Sequence, residues 1–211
     1  MAVWMSGRKR WIHLAALAGL LLTACAEGEG NVAPPTRSKP PTVTPSSSPS
    51  GEPLCSAAAS SASLEPQPGL LDPVEEVRQA IAEAAVRCEY GRLAELALAE
   101  GEQFTFSFGA ADDPAEYWRT EEAAGGEPMK FLAGMLDRPY GRVTAGGLNL
   151  YVWPSAATYP SWAEVPLEAR NALRPLYGDE DFQQFAQFGS YIGYRVGITE
   201  TGDWLYFVAG D

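Results

Sequence analysis

The sequence predicts an α+β domain in which helices pack on a curved antiparallel sheet of about four strands. Three observations carry that expectation. The signature Asp-Pro-x-Glu, which opens helices, occurs twice, as Asp72-Pro73-Val74-Glu75 and Asp113-Pro114-Ala115-Glu116. Four short stretches have strand character without the regular strand-helix alternation of a parallel sheet. The last two of them, Tyr191 to Ile198 and Trp204 to Val208, are joined through Thr199 to Asp203 as a hairpin.

Taken in order, Val74, Val77, Ile81, Ala84 and Cys88 recur at three- and four-residue intervals and predict a helix from Asp72 with one apolar stripe. Asp72 reads as its capping residue and Glu75 as the carboxylate that reaches back. Gly91 breaks the pattern, and a second helix runs from Arg92 to Glu100 and ends at Gly101. Gln103 to Phe108 alternates Phe104, Phe106 and Phe108 with polar residues, the clearest strand pattern in the chain. Asp113 opens a helix carrying Tyr117, Trp118 and Arg119, closed by Gly125 and Gly126; a shorter helix begins at Pro128 and turns Phe131, Leu132, Met135 and Leu136 inward. Arg138 to Gly147 reads as a glycine-rich loop, and Leu148 to Trp153 as a strand stopped by Pro154. Short helices follow near Leu167 to Leu173 and Asp181 to Phe188. Helices first and a terminal hairpin last resemble, by fold analogy alone, the cone-like domains of the nuclear-transport-factor-2 type.

Composition excludes several functions. Of the 211 residues, 46% are hydrophobic and 20% charged, which suits one domain plus appendages. Residues 67–211 hold 10 Lys and Arg against 23 Asp and Glu, so 10 − 23 gives a net charge of −13. Such a surface repels phosphate backbones, so no nucleic-acid partner is expected. The only histidine is His13, so the rest of the chain can build neither a Ser-His-Asp triad nor a His-ligated zinc site. No glycine-rich phosphate loop follows a predicted strand, and the acidic pairs lack the spacing of a calcium loop, so neither a cofactor nor a metal is expected.

The first residues carry an address. Arg8, Lys9 and Arg10 precede an apolar run from Trp11 to Leu22 that is too short to span a bilayer stably, the layout of an export signal. The run ends in Leu22-Thr23-Ala24-Cys25, which resembles the lipobox of bacterial lipoproteins. That resemblance covers residues 1–25. It implies that residues 1–24 are removed and that Cys25 becomes a mature N-terminus bearing diacylglyceryl on sulfur. Palmitate-like chains would then anchor it to the outward face of the cell membrane. The alternative is an ordinary signal peptide cut after Ala24.

Residues 25–53 are rich in Pro, Ser and Thr and carry no aromatic residue, so they cannot bury enough apolar surface to order and read as a disordered linker. At about 3.1 Å per residue its reach is at most about 90 Å. The globular domain then spans residues 54–211. With Cys25 lipidated, Cys55 and Cys88 remain as a pair in an oxidising compartment and are expected to form a disulfide. The competing reading leaves Cys88 a buried thiol and pairs Cys55 with another chain.

All nine Tyr and all eight Phe fall after residue 89. Core packing accounts for such rings, and so does a ligand platform, for which Tyr151, Trp153, Tyr159 and Trp162 form the best local cluster. Arg195 stands on the odd-numbered face of its strand between Gly193 and Gly197, where a carboxylate or phosphate could approach; the alternative is a bend with a paired arginine. The candidate ligand residues are therefore Arg195, Tyr151, Trp153, Trp162 and Trp204. The expected function is that of a membrane-anchored module binding a small molecule, a glycan or an envelope protein, in an apolar pocket beside the C-terminal hairpin. A carboxylate-based glycosidase-like hydrolase and a purely structural envelope protein are the alternatives.

Overall fold

Apolar spacing of three and four residues folds Asp72–Val86 into α1, which buries Val74, Ile81, Ala84 and Ala85. The computed structural model describes residues 55–60, 65–99, 104–109 and 111–210, all within the unit Ser48–Asp211. The expectations for residues 1–24, for Cys25 and for the linker to residue 53 lie outside the described residues. Asp72 is the first helical residue and not the cap: Leu71 holds that position without a side-chain bond. The Glu75 carboxylate accepts from the Gln67 N–H before the helix and from the Arg78 and Gln79 side chains.

Helix α2 spans Tyr90–Ala97 and contains Gly91, so the expected break there is wrong. The interruption falls on Cys88, whose φ of 50° turns the chain between the helices. Gly91 sits in the first turn, where a side chain would meet nothing within 4 Å. Cys88 is bonded to Cys55 across a separation of 33 residues. Helix α3 (Pro114–Ala123) begins as expected, with the Asp113 carboxylate accepting from the N–H groups of Ala115 and Glu116.

Helix α4 (Pro128–Leu136) has a non-local cap. The buried Glu122 carboxylate accepts from the Met129 N–H at 2.9 Å and from the Ser56 N–H at 2.8 Å. The Ser56 hydroxyl donates to Glu122 and accepts from the Lys130 N–H. The disulfide segment and the start of α4 thus satisfy one another's orphan groups.

The sheet is antiparallel, in the order β1-β2-β3-β4, with β1 Gly141–Ala145, β2 Leu148–Trp153, β3 Arg195–Thr199 and β4 Trp204–Val208. Together with six described α-helices, including α5 (Leu167–Ala172) and α6 (Asp179–Phe188), it makes an α+β fold. Two strand expectations fail. Arg138 to Gly147 is not all loop: Gly141–Ala145 pairs with β2 through a tight turn at Gly146 and Gly147, both with positive φ. The Phe-rich stretch from Gln103 is no ladder strand; among its described residues only Thr105 bridges to β4, in parallel. The bridge uses the outer edge of β4, where the Phe207 N–H donates to the Thr105 carbonyl. The Leu205 carbonyl on the same edge accepts the Thr105 N–H at 2.9 Å, and beside it β3 and β4 carry a bulge, Gly197 pairing with Tyr206 and Ile198 with Trp204.

The aromatic excess goes largely into packing. Trp204, Trp118, Phe207, Tyr194, Phe131, Tyr177, Phe185 and Trp162 form a continuous row with successive ring centroids no more than 6.2 Å apart. Among the described residues no helix is long and apolar enough to cross a membrane.

Candidate functional site

Arg195 does lie opposite the apolar row: Val196 and Ile198 pair with Trp153 and Tyr151 on one face, which puts Arg195 and Gly197 on the other. The space beside the glycines is nevertheless occupied from within. A Cβ at Gly197 would overlap the ring of Tyr206, its cross-strand partner. A Cβ at Gly193 would overlap the hydroxyls of Tyr177 and Tyr191.

Those hydroxyls have a task of their own. The Tyr194 N–H donates to Tyr177 Oη at 2.7 Å, the two phenols lie 3.2 Å apart, and Tyr191 Oη donates to the Tyr194 carbonyl at 2.6 Å. This closed ring satisfies both backbone groups of Tyr194 where β2 has ended and no strand partner remains. It also explains why β3 starts at Arg195 and not at Tyr191. Burial pushes both the Tyr177 and Tyr191 phenols up. The Arg195 charge draws Tyr206 and Tyr191 the opposite way, against the larger effect of burial.

The aromatic candidates divide among separate packing groups. Trp153 is fully buried, donates its indole N–H to Gln67 Oε1 at 3.0 Å, and shares Tyr140 with Tyr151. The Arg142 guanidinium stacks over Tyr151 at 4.7 Å. Trp162 is buried against Phe182 and Phe185 under Arg170. Trp204 packs on Phe104 and Trp118, its indole N–H bonded to the Tyr206 carbonyl. Tyr159 is half-exposed and has no ring contact among the described residues. Tyr151 and Trp153 thus belong to one described packing group, Trp162 to a second and Trp204 to a third. Tyr151, Trp153, Trp162 and Trp204 are buried, and Arg195 is half-buried.

Two concavities flank the Thr105 bridge beside the C-terminal hairpin. One, of about 250 Å³, lies under the β3–β4 turn between Leu96, Phe104, Trp204 and Asp203. The other, of about 120 Å³, is walled by Phe106, Tyr117, Trp118, Tyr194 and Phe207 and rimmed by Phe108, which is 63% exposed. The second has the more distinctive chemistry. Phe106 lies 5.5 Å from Tyr117 and 6.4 Å from Trp118, both at steep angles, while Tyr194 stacks on Phe207 at 5.0 Å. The Trp118 indole N–H is buried with no hydrogen-bond partner among the described residues. Burial raises the Tyr194 phenol to about 12, and Tyr117, Glu121 and Glu122 add to that rise. Burial also pushes Tyr117 up, with Glu121 reinforcing it and the Ser107 hydroxyl opposing.

Carboxylate chemistry has less support. Glu75 and Asp203 are both held below the usual carboxylate range, the first by its Arg78 and Gln67 bonds overcoming burial, the second by the Thr201 and Thr199 hydroxyls. A general acid needs the opposite shift. Among the described residues no three His, Cys, Asp or Glu side chains come together to hold a metal ion.

No protein family, curated protein or solved structure matches this chain. The cleft residues each carried a local signal: Phe106 in the alternating stretch, Tyr117 and Trp118 after Asp113, Tyr194 in the even-numbered row. Phe106, Tyr117 and Trp118 lie within 12 residues of one another, whereas Tyr194 follows 76 residues after Trp118; the Thr105 bridge and the Trp118–Phe207 contact bring the segments together.

Proposed function

We propose that this chain is an exported lipoprotein anchored in the cell membrane through Cys25 and facing outward. On this reading the linker 25–53 holds the domain away from the lipid, and the domain binds a ligand or partner at the envelope through the aromatic cleft beside β4. The observation that carries the proposal is the basic and apolar leader ending in Leu22-Thr23-Ala24-Cys25. The Cys55–Cys88 bond supports it, because a disulfide in a domain of this size suits an oxidising compartment. For the binding role the support is an aromatic-walled concavity beside the C-terminal hairpin.

Expression in a bacterial host fed a palmitate analogue tests the anchor. The wild-type chain incorporates the label and sediments with membranes, whereas Cys25→Ser loses both. Equal labelling of the two, or a soluble wild-type chain, contradicts the proposal.

A further inference from the structure

We infer that strand β1 is a docking edge for β1 of a second copy of this chain, the two strands pairing antiparallel about Val143. The hydrogen bonds of the sheet prepare that edge. Glu200 donates its N–H to the Asn149 carbonyl at 3.1 Å, so the main-chain groups of Asn149 face β3. Thr144 stands directly opposite Asn149, and Arg142 opposite Tyr151. The N–H and C=O groups of Arg142 and Thr144 therefore point away from β2. Both residues are exposed, and among the described residues nothing bonds those groups.

Sheet edges are usually blunted by a lysine, a proline, a bulge or a covering segment. Gly141–Ala145 contains neither Lys nor Pro and pairs with β2 in unbroken register. Its one charge is turned onto its own domain: the Arg142 guanidinium donates to the Gly69 carbonyl at 2.7 Å and stacks over Tyr151 at 4.7 Å.

Charge and register select a second copy as the occupant. Residues 139–163 hold Arg142 and no Asp or Glu, in a domain of net charge −13, obtained as 10 − 23 over residues 67–211. Two copies meet with least repulsion along this hairpin. Centred on Val143, the pairing sets Arg142 of each copy against Thr144 of the other and uses every outward N–H and C=O group of both residues. It also directs Arg142 toward the row Thr144, Asn149 and Glu200 of the second copy, in which the Asn149 amide holds the Glu200 carboxylate at 3.1 Å. Cation thus faces carboxylate across the seam. A register centred on Arg142 would oppose like charges, and one centred on Thr144 would carry Arg142 past the strand to the turn at Gly146. On the other face Val143, whose cross-strand partner Leu150 is buried, meets Val143 of the second copy and closes an apolar row. Such self-complementarity is what a two-fold interface requires.

The test is oxidative cross-linking of the full chain in excess non-ionic detergent. Val143→Cys puts two thiols at a non-hydrogen-bonded cross-strand pair, with Cα atoms about 4.5 Å apart, and yields a disulfide-linked dimer. Arg142→Cys, whose two copies stand more than about 7 Å apart in this register, does not. Adding Thr144→Pro to Val143→Cys removes an outward N–H that the β1–β2 ladder does not use, so the chain stays folded by its melting temperature and the dimer is lost. Equal cross-linking of the two cysteine variants, or none, overturns the inference. A dimer that survives Thr144→Pro overturns it too, by moving the contact off the edge. Hydrogen exchange gives an independent readout on the wild type: the Arg142 and Thr144 amides exchange slowly in concentrated solution and fast on dilution. Slow exchange in both means that another segment of the same chain fills the edge, and overturns the second copy.

Discussion

Glu75 and Arg78, one turn apart on α1, form a charge pair in which the arginine has no solvent exposure: Arg78 Nη2 lies 2.6 Å from Glu75 Oε1 and Nε 3.1 Å from Oε2. The rest of the guanidinium donates to the carbonyls of Leu136 and Glu65. Gln67 completes the knot, donating to the Leu136 and Arg138 carbonyls and accepting from the Trp153 indole. The segment before α1, the end of α4 and strand β2 are joined by this one set of polar contacts. Arg78→Ala therefore leaves a half-buried carboxylate and two carbonyls without their arginine partner and is expected to cost about 3 kcal/mol of unfolding free energy in urea titration. A loss below about 1 kcal/mol would place the segment's stability elsewhere.

The same pair sets a pH dependence. Burial alone would raise the Glu75 carboxyl, but the Arg78 and Gln67 bonds and the Arg78 charge leave it lowered from its ordinary 4.5. Because the folded value is the lower one, the contribution is complete above about 4.5 and is lost as pH falls through the folded value. Asp203 behaves alike at the β3–β4 turn. Melting temperature should fall below pH 4.5 in the wild type and fall less steeply over that window in Glu75→Gln, from a lower starting point. Parallel curves would remove Glu75 from the account.

Reducing the disulfide should destabilise the domain by about 3 to 4 kcal/mol, from the entropy of opening a 33-residue loop. Glu122→Ala should add to the loss, since it uncaps α4 and frees Ser56. Hydrogen exchange at Met129 and Lys130 reports the two effects together; exchange unchanged in the variant would show that the cap contributes nothing.

Tyr206 and Gly197 are a matched pair across β3 and β4, a ring lying where a side chain would otherwise stand. Gly197→Ala should cost about 1 to 3 kcal/mol in the wild type and distinctly less in a Tyr206→Ala background. Additive losses in that cycle would mean the ring does not occupy the glycine's space. Tyr177→Phe, which removes the acceptor of the Tyr194 N–H, should cost about 1 to 3 kcal/mol by itself.

The helices were legible because their signals are local. Asp113 announces its own cap, and the stripe from Val74 to Ala84 needs no knowledge of what covers it. The sheet was legible only in part. Four strands were expected and four exist, but the Phe104–Phe106–Phe108 alternation marks packing against α3 and β4 instead of ladder membership. Strand β1 is an edge whose Arg142 and Thr144 are exposed, so it lacks the apolar alternation of a covered strand. Gly146-Gly147 was the hairpin signal that marked it. The glycines around Arg195 were read as room for a carboxylate or phosphate, or as a bend; the groups that approach them include tyrosines from 16 residues before Gly193 and nine residues after Gly197, which no spacing rule specifies. The cleft was illegible for the same reason: Phe106, Tyr117 and Trp118 meet Tyr194 and Phe207, which follow at least 76 residues later.

Mass spectrometry of the chain from a membrane fraction, alkylated without reduction and then digested, examines anchor and staple at once. The account predicts an N-terminal peptide that starts at Cys25 and carries the mass of a diacylglyceryl group, together with a Cys55–Cys88 linked peptide free of alkylation. A peptide retaining Met1, or alkylated Cys55 and Cys88, would contradict it.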